Sequence, residues 1–280
     1  MTKINAGYHY NDVINAKRSP EHPAFSDRYD CNMPDNRFNL RKLTINDLID
    51  VIGAGVRDFA AAPMYGMVFA GLFVLGGWLI LALLFWFKLN YLAYPLAMGF
   101  ALISPFAAVG FYAVSDLLER SQRLSWRNVS AAIRSAIQRD IRWMALVTGF
   151  ALVIWLDIAA VLFFSLMGLS SFGPEFIDRL FTTPNGLVFL VLGNVAGAVI
   201  ALFVFSISAI SFPMLYDRDI DFATAMITSV RLVATNPVPL IAWCAMIGIL
   251  TTLSIASAFV GLLIVMPVIG HTTWHLYRRA

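Results

Sequence analysis

Charge is what this sequence has least of. Asp, Glu, Lys and Arg together make 13% of its 280 residues, about half the share of an ordinary globular domain, while apolar residues make 59%. Mean hydropathy is +0.74. So few charges cannot clothe a water-facing surface, which excludes a soluble domain and requires lipid to cover part of the chain. Cysteine is scarce as well: Cys31 lies in a polar stretch and Cys244 in an apolar one, neither in a CxxC or Cys/His cluster, so no disulfide framework is expected. Residues 1–43 hold no apolar core of seven or more residues, which excludes a secretory signal there and leaves the first hydrophobic span to direct insertion. A net charge of +3, with no basic patch interleaved with aromatics, excludes nucleic acid as a partner. P-loop, GxGxxG, GxSxG and HExxH signatures are all missing, so no enzyme class is indicated.

What is present is a regular alternation of amphipathic and uncharged segments. Residues 1–43 are polar, rich in Asn, Asp, Arg and Pro, and show no sustained period. They read as an irregular tail, either pinned in places or disordered. Thr44 and Asp47 then make a capping-box-like start to a helix with Leu48, Ile52, Val56 and Phe59 at helical spacing, ended by Pro63. Its charges suit it to lie on lipid, not cross it. Two uncharged stretches, 59–87 and 89–115, follow on either side of Lys88, each longer than the roughly 20 residues that span a bilayer. A second amphipathic helix, capped by Ser125, leads to span three (143–174) and span four (186–215). A third, capped by Asp221, leads to spans five (237–254) and six (257–277), with a turn near Ser254–Ser257.

The order of elements repeats three times. In each amphipathic helix an arginine stands six residues before the start of the next apolar stretch: Arg57 before Pro63, Arg134 before Asp140, Arg231 before Pro237. The even spans echo one another through Pro105, Gly110 and Tyr112, through Pro213 and Tyr216, and through Pro267, Gly270 and Tyr277. The expected architecture is therefore an all-α polytopic membrane protein with six transmembrane helices. They form three tandem helix-hairpin units (44–124, 125–220 and 221–280) behind the polar tail of 1–43. The six-span layout puts 18 Lys and Arg on the side of both termini and two, Lys88 and Arg179, on the other, so the termini and amphipathic helices are expected in the cytoplasm.

The stretch Gly55-Val56-Arg57-Asp58-Phe59, followed by Pro63, Tyr65 and Gly66, resembles the start of a predicted integral membrane protein family, number 2189 among domains of unknown function. Val56 stands where that family's pattern has an aromatic residue. The resemblance implies a bacterial inner-membrane protein of unassigned activity, with similarity over about residues 40–280. Some family members are labelled as a cytochrome c oxidase subunit. A catalytic oxidase subunit needs six membrane-embedded histidines for its haems and copper. This chain has four His, two of them (His9 and His22) in the tail, which leaves room only for an accessory role.

Three sets of candidate site residues stand out. His271 and His275, at i and i+4, share a helix face that could hold a metal or a haem edge, or simply close span six among Trp274, Tyr277, Arg278 and Arg279 at the interface. Asp157 is the acidic residue well inside a span. It should turn inward to a partner such as Asn194, either as a proton- or cation-coupled site or as a structural carboxyl. Asn194 lies between Gly193 and Gly197, a small-residue face suited to close helix packing. Arg57, Arg134 and Arg231 are expected at the headgroups. No metal or other cofactor is required by these residues. The lipid bilayer is the expected partner, with another membrane complex as a further one. Two functional readings follow: a membrane-embedded accessory, scaffold or assembly factor, and a small-molecule or lipid-handling permease with a polar site around Asp157.

Overall fold

A computed structural model describes residues 40–87, 96, 108–137, 141–168 and 176–280. The tail over 1–39, the turn after Lys88 and the first part of span two lie outside the described residues. Among the described residues every regular element is a helix, in keeping with the all-α expectation.

Helix α1 (Ile45–Ala61) begins on the expected capping box: Thr44 accepts from the Asp47 N–H, and the Asp47 carboxylate accepts from the Thr44 N–H. Ala62 alone separates it from α2 (Pro63–Phe87), and the chain bends by 101° there. Proline fixes this hinge, because the residue before it is driven out of the helical region; Ala62 has φ −136° and ψ 52°. The buried stripe of α1 is Leu48, Val51 and Gly55, and Val56 faces outward. The expected stripe of Leu48, Ile52, Val56 and Phe59 is therefore turned on the helix axis. Glycine has no side chain to register in a hydropathy pattern, yet Gly55 marks the closest approach.

Beyond the undescribed stretch come α3 (Val109–Glu119), α4 (Trp126–Ile137) and α5 (Ile141–Leu166). A short α6 (Phe176–Thr182) leads into α7 (Pro184–Ser208), which Thr183 caps by accepting from the Gly186 N–H. The helix breaks at Ala209–Ile210 before α8 (Ser211–Asp217). Ser229 fills the break, donating to the Ser206 carbonyl (2.8 Å) and accepting from the Ile210 N–H (3.3 Å), so the freed backbone groups keep partners. Ser229 comes from α9 (Phe222–Thr235), which Asp221 caps as expected by accepting from the Thr224 N–H. Asn236 then repeats the hinge of Ala62, with φ −131° and ψ 55° before Pro237. Helices α10 (Pro237–Ala256) and α11 (Leu262–Arg279) complete the chain, joined by the 257–261 turn.

Among the described residues, three stretches are long and apolar enough to cross a membrane: Leu146–Leu166 in α5, Pro184–Asp217 over α7 and α8, and all of α10. The bent pair α1–α2 makes a fourth if counted as one span. The described residues alone thus carry three to four of the expected six. Part of the shortfall is span two, whose residues 97–107 are not described. Part is α11, whose second half carries two His, two Thr and two Arg over its 18 residues.

Candidate functional site

Two close approaches of backbone build the site. A Cβ on Gly55 would run into Thr272, so α1 lies directly against α11. One on Gly270 would run into the Phe111 ring, so α3 lies against the opposite flank of α11. One helical turn on from Gly55 stands Asp58; one turn on from Phe111 stands Ser115; His271 and His275 project from α11 between them. The four meet in a continuous chain. His271 Nδ1 lies 2.7 Å from Ser115 Oγ, the Ser115 hydroxyl donates to Asp58 Oδ2 at 2.7 Å, and His275 Nε2 lies 2.8 Å from the same oxygen.

Proton counting sets the direction of these bonds. Ser115 has one proton and gives it to Asp58, so His271 must carry its proton on Nδ1 and donate to Ser115. Both arms then point at the carboxylate. Burial pushes the Asp58 carboxyl up, but the bonds from His275 and Ser115 outweigh it and hold the group below its usual 3.8. This is the reverse of a nucleophile–base pair, in which serine would hand its proton to histidine. Ser115 and His271 are fully buried, and His271 Nε2, beside the edge-on Phe111 ring, has no hydrogen-bond partner among the described residues. The arrangement locks three helices; it does not present a nucleophile to a substrate.

A second network adjoins it. Arg120 pairs with Asp116 (2.6 Å) and Asp217 (3.5 Å), Tyr216 donates to Asp116, and Tyr277 donates to Asp217 (2.7 Å). Arg278 and Trp274 share the Glu119 carboxylate. The ends of α3, α8 and α11 are thereby tied together. On the outer side of α11, Arg279 joins Asp47 and Asp50 of α1, and Arg41 N–H donates to the Ala280 carbonyl. The buried Asn236 side chain accepts from the Leu43 N–H and donates to the Arg41 carbonyl, so the end of the polar tail is pinned.

The sequence-derived candidates fare differently. His271 and His275 share one hydrogen-bonded cluster through two residues that the sequence did not single out as partners, Asp58 and Ser115, 217 and 156 residues away. The signal for Ser115 was faint: a polar residue on the last turn of an uncharged stretch. Among the described residues no group of three or more His, Cys, Asp or Glu side chains could hold a metal. Asp157 and Asn194 are not brought together. Both are exposed, the Asp157 carboxyl has no hydrogen bond or ion pair among the described residues, and the Asn194 amide donates to Leu190 of its own helix. Their helices do pack, through Gly197 against the buried Trp155. Arg57, Arg134 and Arg231 are all exposed.

Helices α3 to α8, with the Asp116–Arg120–Asp217 network they carry, are the part of the chain that similarity reaches. Residues 92–217 match the model of a family described as a predicted integral membrane protein (DUF2189). The DUF2189 match includes Ser115 but neither Asp58 nor the two histidines. It also stops short of the Gly55–Gly66 stretch that carries the resemblance in the sequence, so its reach is narrower than residues 40–280. No curated protein and no solved structure matches the chain.

Proposed function

We propose that this integral membrane protein is an accessory, scaffold or assembly factor within a larger membrane complex. The carrying observation is the bareness of its apolar helices. Only 28%, 17% and 28% of the spans in α5, α7 and α10 is buried within the chain. Large side chains such as Leu146, Phe150, Val191, Val195 and Phe203 lie open along them. Lipid covers such a surface, and so would partner helices. The polar cluster, by contrast, is closed on itself and offers no reaction. A respiratory oxidase as the partner rests on the family label alone. A permease site around Asp157 draws no support from two separated, exposed side chains.

The finer architecture belongs to the same proposal. Six spans in three units are supported by the hinges at Ala62–Pro63 and Asn236–Pro237, which share one backbone conformation. They are also supported by a cyclic packing pattern: α1 lies on α11, α4 on α3 and α9 on α8, each amphipathic helix on the end of the preceding unit. The 18-to-2 Lys and Arg bias supports cytoplasmic termini in a bacterial inner membrane. Purification of the full chain from its native membrane in mild detergent tests the function. A stoichiometric membrane-protein partner, cross-linked to probes at Val191 or Val195, is expected; a chain that elutes alone and cross-links only to lipid would overturn the reading. Reporters fused after Lys88 and near Arg179 should read as external, and those at Arg127, Asp219 and the C-terminus as cytoplasmic. An external C-terminus would exclude six spans.

A further inference from the structure

Hydroxyls in these helices usually return to the carbonyl one turn back: Thr252 to Gly248, Thr273 to Ile269, Ser208 to Val204. Tyr112 and Thr251 depart from that habit. Tyr112 is 2% exposed and Thr251 7%, and neither hydroxyl makes a hydrogen bond among the described residues; neither oxygen is fully sealed, so each keeps some open surface. A hydroxyl that opens onto an apolar space without an acceptor is unfavourable, so two such groups at one place favour a partner from outside the chain. They are at one place: both line a cavity of about 200 Å³ between α3, α7, α10 and α11, walled otherwise mainly by apolar side chains such as Phe111, Val204 and Trp243. An apolar cavity of roughly 150 Å³ already admits a benzene-sized molecule. Gly248 and Thr252 sit on its rim and are exposed at the middle of α10, so the cavity opens sideways through the helix wall. In a membrane protein that opening faces lipid.

We propose that this cavity binds a carbonyl-bearing apolar lipid, its hydrocarbon portion against the cavity wall and its carbonyl oxygen accepting from the Tyr112 and Thr251 hydroxyls. The class follows from the lining. Both hydroxyls can donate, and among the described residues no Asp, Glu, Lys or Arg lines the cavity, so a charged headgroup has no counter-ion there while a neutral acceptor is well served. The site is separate from the Asp58 cluster and does not depend on the accessory role.

The test uses the full chain, purified and reassembled into nanodiscs made from a total lipid extract of the expressing cells, washed, and extracted for mass spectrometry. Three variants accompany it. Gly248→Leu adds a bulky side chain at the rim, where a Cβ meets nothing within 4 Å, so it obstructs the opening without a clash. Tyr112→Phe and Thr251→Val, singly and together, remove the hydroxyls at near-constant shape. The wild-type chain should retain about one carbonyl lipid per chain. Gly248→Leu should reduce retention several-fold, and each hydroxyl loss by about fivefold, the worth of one hydrogen bond. An acyl ester among the retained molecules identifies a glycerolipid as the source, and an isoprenoid carbonyl a terpenoid one; either supports the proposal. Retention that is no greater than in Gly248→Leu, that is unchanged by the double hydroxyl variant, or that consists of lipids without a carbonyl would overturn it. A thermal midpoint within a few degrees of wild type shows that each variant has folded.

Discussion

The junction of α1, α3 and α11 and the flank of α5, α7 and α10 solve the problem of a low-charge chain in opposite ways. At the junction, polar groups are concentrated and nearly all answered from within: Asp58, Ser115, His275, Asp116, Asp217 and Glu119 each meet a partner from another helix or another turn. Along the flank polar groups are few, hydroxyls such as Ser206 and Thr252 fold back on their own helices, and most apolar side chains find little cover in the chain. Removing a partner at the junction leaves a buried polar group stranded, which is costly. Removing an outward side chain from the flank changes only what lipid or a partner touches. Stability is concentrated at the junction and interaction surface along the flank.

That contrast can be broken at Gly55. Gly55→Val would drive a branched side chain into the Thr272 backbone, so α1 must lift off α11 and the Asp58–His275 bond must part. A loss of about 3 kcal/mol or more is expected, read as a collapse of the thermal midpoint in detergent. A tolerated valine would show that α1 does not seat on α11.

A smaller effect is expected at Asp58. Asp58→Asn keeps the shape and an acceptor oxygen but loses the charge, costing about 1.5–3 kcal/mol at neutral pH. Because the folded carboxyl titrates below 3.8, its contribution is complete above that value and is lost as pH falls through the lowered folded one. The gap between wild type and Asp58→Asn should therefore close in strong acid, below pH 3.8. A gap that persisted undiminished there would contradict the assigned hydrogen bonds. Thr44→Ala removes one side of the capping box and should cost about 1 kcal/mol, visible as faster amide exchange over the first turn of α1. On the flank, Asp157→Leu replaces an exposed, unpaired carboxyl among apolar neighbours. It should leave the thermal midpoint unchanged or raise it slightly, whereas loss of expression would restore the inward, partnered carboxyl that depth alone suggested.

The difference between the regions also explains what the sequence disclosed. The Thr44 and Asp221 caps, the Pro63 and Pro237 hinges and the apolar stretches of α5, α7 and α10 are local patterns, and each stands where the sequence placed it. The junction is nonlocal. The two histidines advertised a shared face, but what that face meets depends on helix packing, and neither Asp58 nor Ser115 signals it within its own neighbourhood. Asp157 illustrates the other side: distance along the chain gives a depth, while the face it occupies is set by Trp155, two residues earlier, turning into Gly197. The orientation of α1 was misjudged for a related reason, since its contact residue is a glycine.

Carbene footprinting of the full chain in its own membrane, with a lipid-soluble reagent and mass-spectrometric readout, tests the contrast most directly. Strong labelling is expected on the outward side chains of α5 and α7, among them Phe150, Val195 and Phe203, with little at Leu48, Val51, His271 or Trp274. Occupancy by a partner complex would lower the flank labels and leave the junction silent. Heavy labelling of the α1–α11 face, with α5 and α7 protected in the purified chain alone, would contradict the account.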